Sequence, residues 1–378
     1  MDFTFLREFM DSLPGRGMPG GDVAVYRDHK ELYRYTAGRP DCCGGAPLQG
    51  SELYFLYSCS KIITCTAALQ LFSRGKFSMS DPVSDILPEF RDVRVRCGAY
   101  TVEPKRGITF RDLFTMRSGL SYNLTSPYLQ EVGEMTGGRC PLREAVRGIA
   151  KMPLDFHPGE HFGYGLSHDV LAAAVEVISG MPFEDYVKKN IFAPCGMTES
   201  TFRFNSPVAE RMASQYRYNG KTGKAETAPL TNMYVLGRDY DCGGAGLISS
   251  VRDLILFADA MACGGVAATG GQILSAHMID MMRTNALDEK QRDEFTSRWR
   301  CYEGYGYGLG VRTMMDRSAG GPGPLGEFGW HGAAGSYVLI DPENRLSLFY
   351  AQHMLNNQED YVIPRIKQCL YGTLRFDQ

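Results

Sequence analysis

The most informative part of this sequence is Phe55-Leu-Tyr-Ser-Cys-Ser-Lys61, which runs directly into the apolar segment 62–72. The spacing of apolar residues in that segment predicts a helix that begins near Ser58. Ser58 and Lys61 then share one helix face, where the lysine amine can reach the serine oxygen. Burial and the positive end of the helix disfavour a protonated amine, so Lys61 is a candidate base for a Ser58 nucleophile. The backbone N–H of Ser58 is a candidate donor to an oxyanion.

A second occurrence of the Ser-x-x-Lys pattern shows that the pattern alone is weak evidence. Ser73 and Lys76 match it, but they stand at the end of the predicted helix, where Gly75 indicates a turn. Ser58 is the better candidate because it stands at a helix start. Cys59 lies inside the first pattern, and we interpret it as a spacer.

Composition excludes several classes of function. The 378 residues include 40 Lys and Arg against 43 Asp and Glu, so no basic excess indicates nucleic-acid binding. Eleven cysteines are too few, and odd in number, for a disulfide scaffold. Asp2, Arg7 and Glu8 stand where a secretory signal needs apolar residues, and no run approaches the roughly 18 apolar residues of a membrane span. We therefore expect a cytoplasmic protein without a membrane span.

The sequence offers no clear site for a metal or an organic cofactor. It contains no His-Glu-x-x-His, no Cys-x-x-Cys and no Walker phosphate loop. His157 and His161 have the spacing of one helix face, but Pro158 and Gly159 separate them. We expect neither a metal nor a cofactor.

The two ends of the chain predict one antiparallel sheet with two terminal helices packed against it. The helices are expected at 3–13 and 357–374, where apolar residues recur with helical spacing. The strands are expected at 23–26 and 31–35 near the N-terminus, and at 307–315, 336–340 and 346–350 near the C-terminus.

The middle of the chain is dominated by helical periodicity. We therefore expect an α+β protein in which a mainly helical domain, residues 71–284, is inserted into a discontinuous α/β domain of residues 1–70 and 285–378. The charge-dense segment 288–300 is most simply interpreted as a solvated loop.

Further motifs follow the Ser58 segment along the chain. They are Gly75-Lys-Phe-Ser-Met-Ser-Asp-Pro82, Thr115-Met-Arg-Ser-Gly-Leu120, Pro158-Gly-Glu-His-Phe-Gly-Tyr164 and Gly243-Gly-Ala-Gly-Leu-Ile-Ser-Ser250. With them the chain resembles the serine β-lactamase-like superfamily, in its branch of class C β-lactamases, family VIII esterases, transacylases and penicillin-binding-protein-like hydrolases. The resemblance implies a β-lactamase/transpeptidase-like α+β fold, with an antiparallel sheet flanked by helices and a mainly helical domain.

The first two of the three family motifs fall on residues already named. The resemblance implies Ser58 as nucleophile and Lys61 as base. The second motif, Tyr-x-Asn, corresponds to Tyr164-Gly-Leu166, in which Tyr164 keeps the hydroxyl that relays a proton to the leaving group. Leu166 stands in place of the amide that contacts a β-lactam side chain.

The third family motif, Lys-Thr-Gly, has two possible matches. The literal one begins at Lys221, within Tyr-Asn-Gly-Lys-Thr-Gly-Lys, which is typical of an exposed turn. The family position is instead Trp330-His331-Gly332, followed by Ala333, whose N–H the resemblance assigns to the oxyanion. Strand alternation points Trp330 toward the cleft and His331 away from it, and Gly332 permits close approach of a substrate. In the alternative alignment His331 is the family's histidine variant of this motif.

The departures at Leu166 and Trp330 favour esters over β-lactams. The third-motif lysine helps to hold the β-lactam carboxylate, and Trp330 carries no charge. The leading hypothesis is a serine hydrolase, an esterase or transacylase, that acts on a small-molecule ester or acyl substrate through an acyl-enzyme. One alternative is a β-lactamase or D-Ala-directed peptidase, and another is a non-catalytic ligand-sensing module on the same fold.

Overall fold

The computed structural model of this chain describes residues 1–38 and 48–374. In chain order the strands are β1 (Gly20–Arg27), β2 (Lys30–Gly38), β3 (Tyr54–Phe55), β4 (Val95–Cys97), β5 (Tyr100–Val102), β6 (Tyr216–Asn219), β7 (Lys224–Thr227), β8 (Ile248–Ser249), β9 (Tyr305–Tyr307), β10 (Arg312–Met314), β11 (Phe328–His331), β12 (Tyr337–Asp341), β13 (Leu346–Ala351) and β14 (Met354–Leu355).

The helices vary from single turns to four turns. They are α1 (Thr4–Ser12), α2 (Ser60–Ser73), α3 (Phe110–Phe114), α4 (Pro127–Met135), α5 (Leu142–Ala150), α6 (Ser167–Ser179), α7 (Phe183–Val187), α8 (Ala193–Cys195), α9 (Ser206–Ala209), α10 (Val251–Ala262), α11 (Ala276–Met282), α12 (Glu289–Arg298), α13 (Arg317–Gly320) and α14 (Glu359–Thr373). No helix in the described ranges has both the length and the apolar character needed to cross a bilayer.

The main sheet joins the two ends of the chain, as expected from the sequence. Its strand order is β2-β1-β13-β12-β11-β10-β9, with antiparallel neighbours throughout. The terminal helices α1 and α14 pack against each other, and α1 also contacts β1 and β2. The apolar residues of the terminal helices and the sheet strands belong to one continuous buried core.

The C-terminal half of the sheet has five strands, whereas the sequence analysis predicted three. The expected single strand at 307–315 is wrong, because the chain turns at Gly308-Leu309-Gly310, and β9, which ends at Tyr307, pairs with β10 on the other side of the turn. Gly310 has a φ of +83°, which a residue with a side chain rarely adopts. The motif strand β11 then fills the space between β10 and β12.

The segment 288–300 is a helix, not the solvated loop expected from its charge. Asp288 and Gln291 form a capping box at the start of α12, each side chain accepting a hydrogen bond from the other's backbone N–H. Phe295 is fully buried. One apolar anchor and a cap therefore hold a helix whose remaining surface is polar.

Helix α10 packs against β1, β12 and β13. It lies in the stretch 71–284 that the sequence analysis assigned to a mainly helical domain, so at least this helix belongs to the layer beside the sheet. The turn between β1 and β2 is attached to it, because Asp259 of α10 accepts a hydrogen bond from the backbone N–H of His29 and contacts the His29 ring nitrogen at 2.7 Å. The proposed domain boundaries stay a prediction.

Candidate active site

Ser58 lies in a short 3₁₀ turn, Tyr57–Cys59, between β3 and the first residue of α2. Tyr57 has a φ of +47°, an unusual conformation for a residue with a bulky side chain. Its hydroxyl donates a hydrogen bond to Gln215 Oε1 over 2.6 Å, and its carbonyl accepts one from the Ser60 hydroxyl over 2.5 Å. These contacts hold a strained turn, and strained turns of this kind cluster at functional sites.

Lys61 is completely buried and points its amine at Ser58. Its Nζ donates hydrogen bonds to Ser58 Oγ at 3.1 Å, to the Tyr122 hydroxyl at 3.0 Å and to the Gly244 carbonyl at 2.7 Å. These three contacts fix the position of the Lys61 amine next to Ser58. The pair expected from the Ser-x-x-Lys pattern is therefore brought together, with two partners that the sequence analysis did not name.

The Gly243–Gly244 segment reaches Lys61 because it passes closely between α2 and α6. A Cβ on Gly243 would lie 2.6 Å from the Ala172 Cβ, and one on Gly244 would lie 2.6 Å from Asp169 Oδ2. Glycine at both positions therefore lets the Gly244 carbonyl approach the lysine amine.

Asp169 of α6 supports this arrangement from beneath. Its Oδ1 accepts hydrogen bonds from the Tyr240 hydroxyl at 2.8 Å and from the Gly244 N–H at 3.4 Å. Burial raises the pKa of Asp169, and the positive charge of Lys61 acts in the opposite direction. The glycine-rich motif around 243–246 was quoted in the sequence analysis, but its spacing alone did not indicate a contact with Lys61.

Tyr164 and Trp330 are in direct contact. The Trp330 indole N–H donates a hydrogen bond to the Tyr164 hydroxyl oxygen over 2.8 Å. Lys61 Nζ lies 4.5 Å from the centre of the Tyr164 ring. Tyr164 borders the same cavity as Ser58. The second-motif tyrosine therefore stands beside the Ser58–Lys61 pair.

Strand alternation predicted that Trp330 points toward the cleft. Trp330 is instead fully buried and does not border the cavity. Its indole packs against Phe295, Trp299, Tyr302 and Tyr307, with ring centres 5.1–6.1 Å away. Helix α12 and the residues after it supply three of these rings, so the unexpected helix covers this face of β11. Trp330 positions Tyr164 from inside the protein.

His331, which was expected to point away from the cleft, borders it. One ring nitrogen contacts the Tyr302 hydroxyl at 2.6 Å, and the other lies 3.6 Å from Glu359 Oε2. Burial lowers the pKa of His331 to about 3, with the charges of Arg312 and Lys61 acting in the same direction. The imidazole is therefore neutral at neutral pH.

The two remaining third-motif positions, Gly332 and Ala333, differ in what surrounds them. A Cβ on Gly332 would lie 2.2 Å from both the Leu56 carbonyl and Ser336 Oγ, so this glycine makes room for protein atoms rather than for a substrate. Ala333 borders the cavity with Ser58. Within the described ranges neither the Ser58 N–H nor the Ala333 N–H is recorded as donating to another backbone group, and their role as oxyanion donors stays a prediction.

Leu166, which the resemblance puts at the substrate-contacting position of the second motif, lies in the core instead. Only 1% of the residue is exposed, and it precedes α6 as the N-cap. An apolar side chain at this position is stabilised by the core, so it turns inward from the cavity, which it does not border.

The alternative motif matches lie away from Ser58. Lys221-Thr222-Gly223 forms the exposed turn between β6 and β7. The Ser73 hydroxyl donates to the Gln70 carbonyl at the end of α2.

Burial raises the pKa of the Cys59 thiol to about 12, so Cys59 is not a thiolate at neutral pH.

A cavity of about 320 Å³ opens above these groups. Ser58, Tyr164 and Ala333 lie on its inner wall, and Tyr234, Trp299 and Leu355 supply apolar surface. Two arginines and one carboxylate complete the charged part of the lining: Arg217, Arg298 and Glu359. The cavity has the size and the mixed lining of a small-molecule site.

The chain is similar to known proteins over most of its length. The family model described as Beta-lactamase matches residues 4–366. Esterase EstB of Burkholderia gladioli is 28% identical over 363 residues, which cover 90% of this chain and 87% of EstB. Monacolin J acid methylbutanoyltransferase of Aspergillus terreus is 27% identical over 330 residues, which cover 82% of this chain and 78% of the transferase.

A solved structure supplies the comparison of fold. EstCE1, described as a hydrolase with promiscuous acyltransferase activity, superposes with a TM-score of 0.80 at 22% identity. The superposition covers 97% of this chain and 98% of EstCE1. This likeness confirms the expected fold, an antiparallel sheet with flanking helices.

Proposed function

Because this chain belongs to the Beta-lactamase family, we propose that it is a serine hydrolase that cleaves small carboxylic esters and passes the acyl group to water or to another alcohol. The observation that carries the proposal is the 3.1 Å contact between Lys61 Nζ and Ser58 Oγ at the wall of the 320 Å³ cavity. The similarity to an esterase and to an acyltransferase supports the same reaction class.

The proposed reaction uses a covalent acyl-enzyme. Lys61 accepts the proton of the Ser58 hydroxyl as Ser58 Oγ attacks the ester carbonyl. The N–H groups of Ser58 and Ala333 stabilise the oxyanion of the tetrahedral intermediate. Tyr164 delivers a proton to the departing alkoxide as the bond between carbonyl carbon and alcohol oxygen breaks.

The second half of the reaction reverses these proton transfers. Water, or an acceptor alcohol, loses its proton to the same basic groups as it attacks the acyl carbon, and the proton returns to Ser58 Oγ when the acyl group leaves. Trp330 keeps the Tyr164 hydroxyl in place during both halves through its indole N–H. We place this enzyme in the cytoplasm as part of the proposal, and the nine described cysteines, all free, are consistent with a reducing compartment.

Hydrolysis of p-nitrophenyl butyrate tests the proposal. Ser58→Ala is expected to lower kcat by at least about 10³-fold, since the nucleophile is removed. Ser73→Ala is the matched control, because Ser73 belongs to the second Ser-x-x-Lys pattern and only caps the end of α2. Equal activity of the Ser58→Ala variant and the wild type would contradict the proposal.

Two further assays separate the alternatives. Addition of a primary alcohol shows by product analysis how much of the acyl group goes to an acceptor instead of water. Nitrocefin tests for β-lactamase activity, which we expect to be weak because the third-motif position holds the uncharged Trp330. Failure of every ester and β-lactam to acylate Ser58 would instead favour the non-catalytic ligand-sensing module.

A further inference from the structure

The charged lining of the cavity points to the kind of ester that it receives. Arg217 and Arg298 both border the cavity that contains Ser58. Among the described residues, neither guanidinium has a carboxylate within ion-pair distance. Neither positive charge is therefore held in an ion pair, although Glu226 stands opposite Arg217 in the pairing of β6 and β7.

Arg298 is held near the proposed proton donor by stacking. Its Cζ lies 5.5 Å from the centre of the Tyr164 ring and 5.1 Å from that of Trp299. Both distances are within the range of cation–π attraction. Because Tyr164 is the proposed donor to the leaving alcohol, a carboxylate in the alcohol part of an ester would come near Arg298.

Arg217 is placed by strand pairing. It stands opposite Leu355 in the parallel pair of β6 and β14, and Leu355 and Asn356 border the cavity beside it. The β14 segment is attached to the turn that contains Ala333, because the Met354 N–H donates to the carbonyl of the next residue, Ala334, over 2.8 Å. The two arginines therefore approach the cavity from different elements.

The other titratable groups of the lining do not cancel these charges at neutral pH. Burial raises the pKa of Glu359 to about 7, so this carboxyl is only partly ionised there. His331 is neutral. An arginine pair with so little opposing charge attracts carboxylates, which guanidinium groups bind through two parallel hydrogen bonds.

We propose that Arg217 and Arg298 form an anion subsite, so that the preferred substrates are esters bearing a carboxylate in the acyl part or in the alcohol part. The inference rests on the proposed esterase function and narrows its substrate class. The family's third-motif lysine helps to hold a substrate carboxylate, and Trp330, which is buried here, cannot replace it. In this proposal the two arginines at the mouth of the cavity bind the carboxylate instead.

Two matched substrate pairs test the subsite and distinguish the two positions of the carboxylate. In the acyl pair, p-nitrophenyl hydrogen glutarate is compared with its methyl ester. In the alcohol pair, meta-butyryloxybenzoate is compared with its methyl ester. For each pair the measured quantity is the ratio of kcat/KM for the charged ester to that for the neutral ester.

We expect Arg298→Gln or Arg217→Gln to lower this ratio about ten- to hundredfold for at least one pair, the range of one charge-assisted contact. Arg298→Lys, which keeps the charge, should restore part of it. Arg300→Gln is the matched control, because Arg300 is an exposed arginine two residues further along that does not border the cavity. Added salt should lower the wild-type ratio as well.

Two results would overturn the proposed anion subsite. Ratios that are the same in the wild type and in the double variant Arg217→Gln/Arg298→Gln would overturn the subsite while leaving the esterase proposal intact, since the neutral esters are still cleaved through Ser58. Absence of Ser58-dependent cleavage of all four esters would overturn both.

Discussion

Trp330 donates its indole N–H to the hydroxyl oxygen of Tyr164 over 2.8 Å, from a position with no solvent exposure. The donor fixes the orientation of the hydroxyl and stabilises negative charge on its oxygen. A residue that the family alignment puts in a substrate-contacting position therefore acts through the tyrosine. We therefore expect Trp330 to affect turnover more than binding.

Trp330→Phe removes this hydrogen bond and keeps most of the aromatic packing. We expect kcat for p-nitrophenyl butyrate to fall about tenfold, the effect of one lost hydrogen bond, with KM changed much less. Trp330→Ala should in addition lower the free energy of unfolding by about 3–5 kcal/mol, because it leaves a large cavity. A Trp330→Phe variant with raised KM and unchanged kcat would show that Trp330 contacts substrate directly.

Two tyrosines compete for the role of proton donor. Tyr122 accepts a hydrogen bond from Lys61, whereas Tyr164 borders the cavity. Burial raises the pKa of Tyr122 well above its ordinary value, so its hydroxyl gives up a proton less readily and is a poor proton donor. We therefore expect Tyr164→Phe to lower kcat by about 10²–10⁴-fold and Tyr122→Phe to have a smaller effect through the position of Lys61. The reverse order would assign the proton transfer to Tyr122.

Cys59 stands next to the proposed nucleophile, but it is chemically silent in the folded protein. Its thiol is fully buried near Ser336 Oγ, and its pKa is raised to about 12. Iodoacetamide at about pH 8 should therefore leave Cys59 unmodified until the protein is unfolded in guanidinium, as peptide mass spectrometry can follow. Cys59→Ala should retain ester hydrolysis, and loss of activity in a folded Cys59→Ala variant would identify a catalytic thiol.

Glu359 makes the stability of the fold depend on pH. Burial raises its pKa from 4.5 to about 7, so the folded protein holds a proton that the unfolded chain loses at lower pH. The stability contributed by the protonated carboxyl is complete below about pH 4.5 and is lost as the pH rises through 7. His331 beside it is neutral throughout this window. Raising the pH from about 5 to 8 should change the free energy of unfolding less favourably in the wild type than in Glu359→Gln, as urea unfolding measures, and an equal change in both proteins would contradict the assignment.

The contact between Ser58 and Lys61, the proposed nucleophile and base, was predictable because its geometry is local. Ser58 and Lys61 are three residues apart at a helix start, and the helix alone brings the two side chains together. The hairpin of β1 and β2 and the terminal helices were predictable for the same reason, since each has its own periodicity. The oxyanion donor at Ala333 and the proton donor at Tyr164 came from family resemblance, and they stay predictions.

The contacts that complete the site were not predictable because they join distant segments. Tyr122 and the Gly244 carbonyl meet Lys61 across gaps of 61 and 183 residues. The prediction of which way the β11 side chains point was wrong for a different reason. Aromatic rings pack against Trp330, and Tyr302 and Glu359 contact His331, so both residues are buried. Alternation between apolar and polar residues indicates direction only when one face of a strand meets solvent.

The most direct test of the account is intact-mass spectrometry of the protein after incubation with a fluorophosphonate and, separately, with p-nitrophenyl butyrate under rapid quench. We expect a single adduct that peptide mapping assigns to Ser58, present in the Ser73→Ala control and absent from Ser58→Ala. An adduct on any other residue, or acylation that persists in Ser58→Ala, would contradict it.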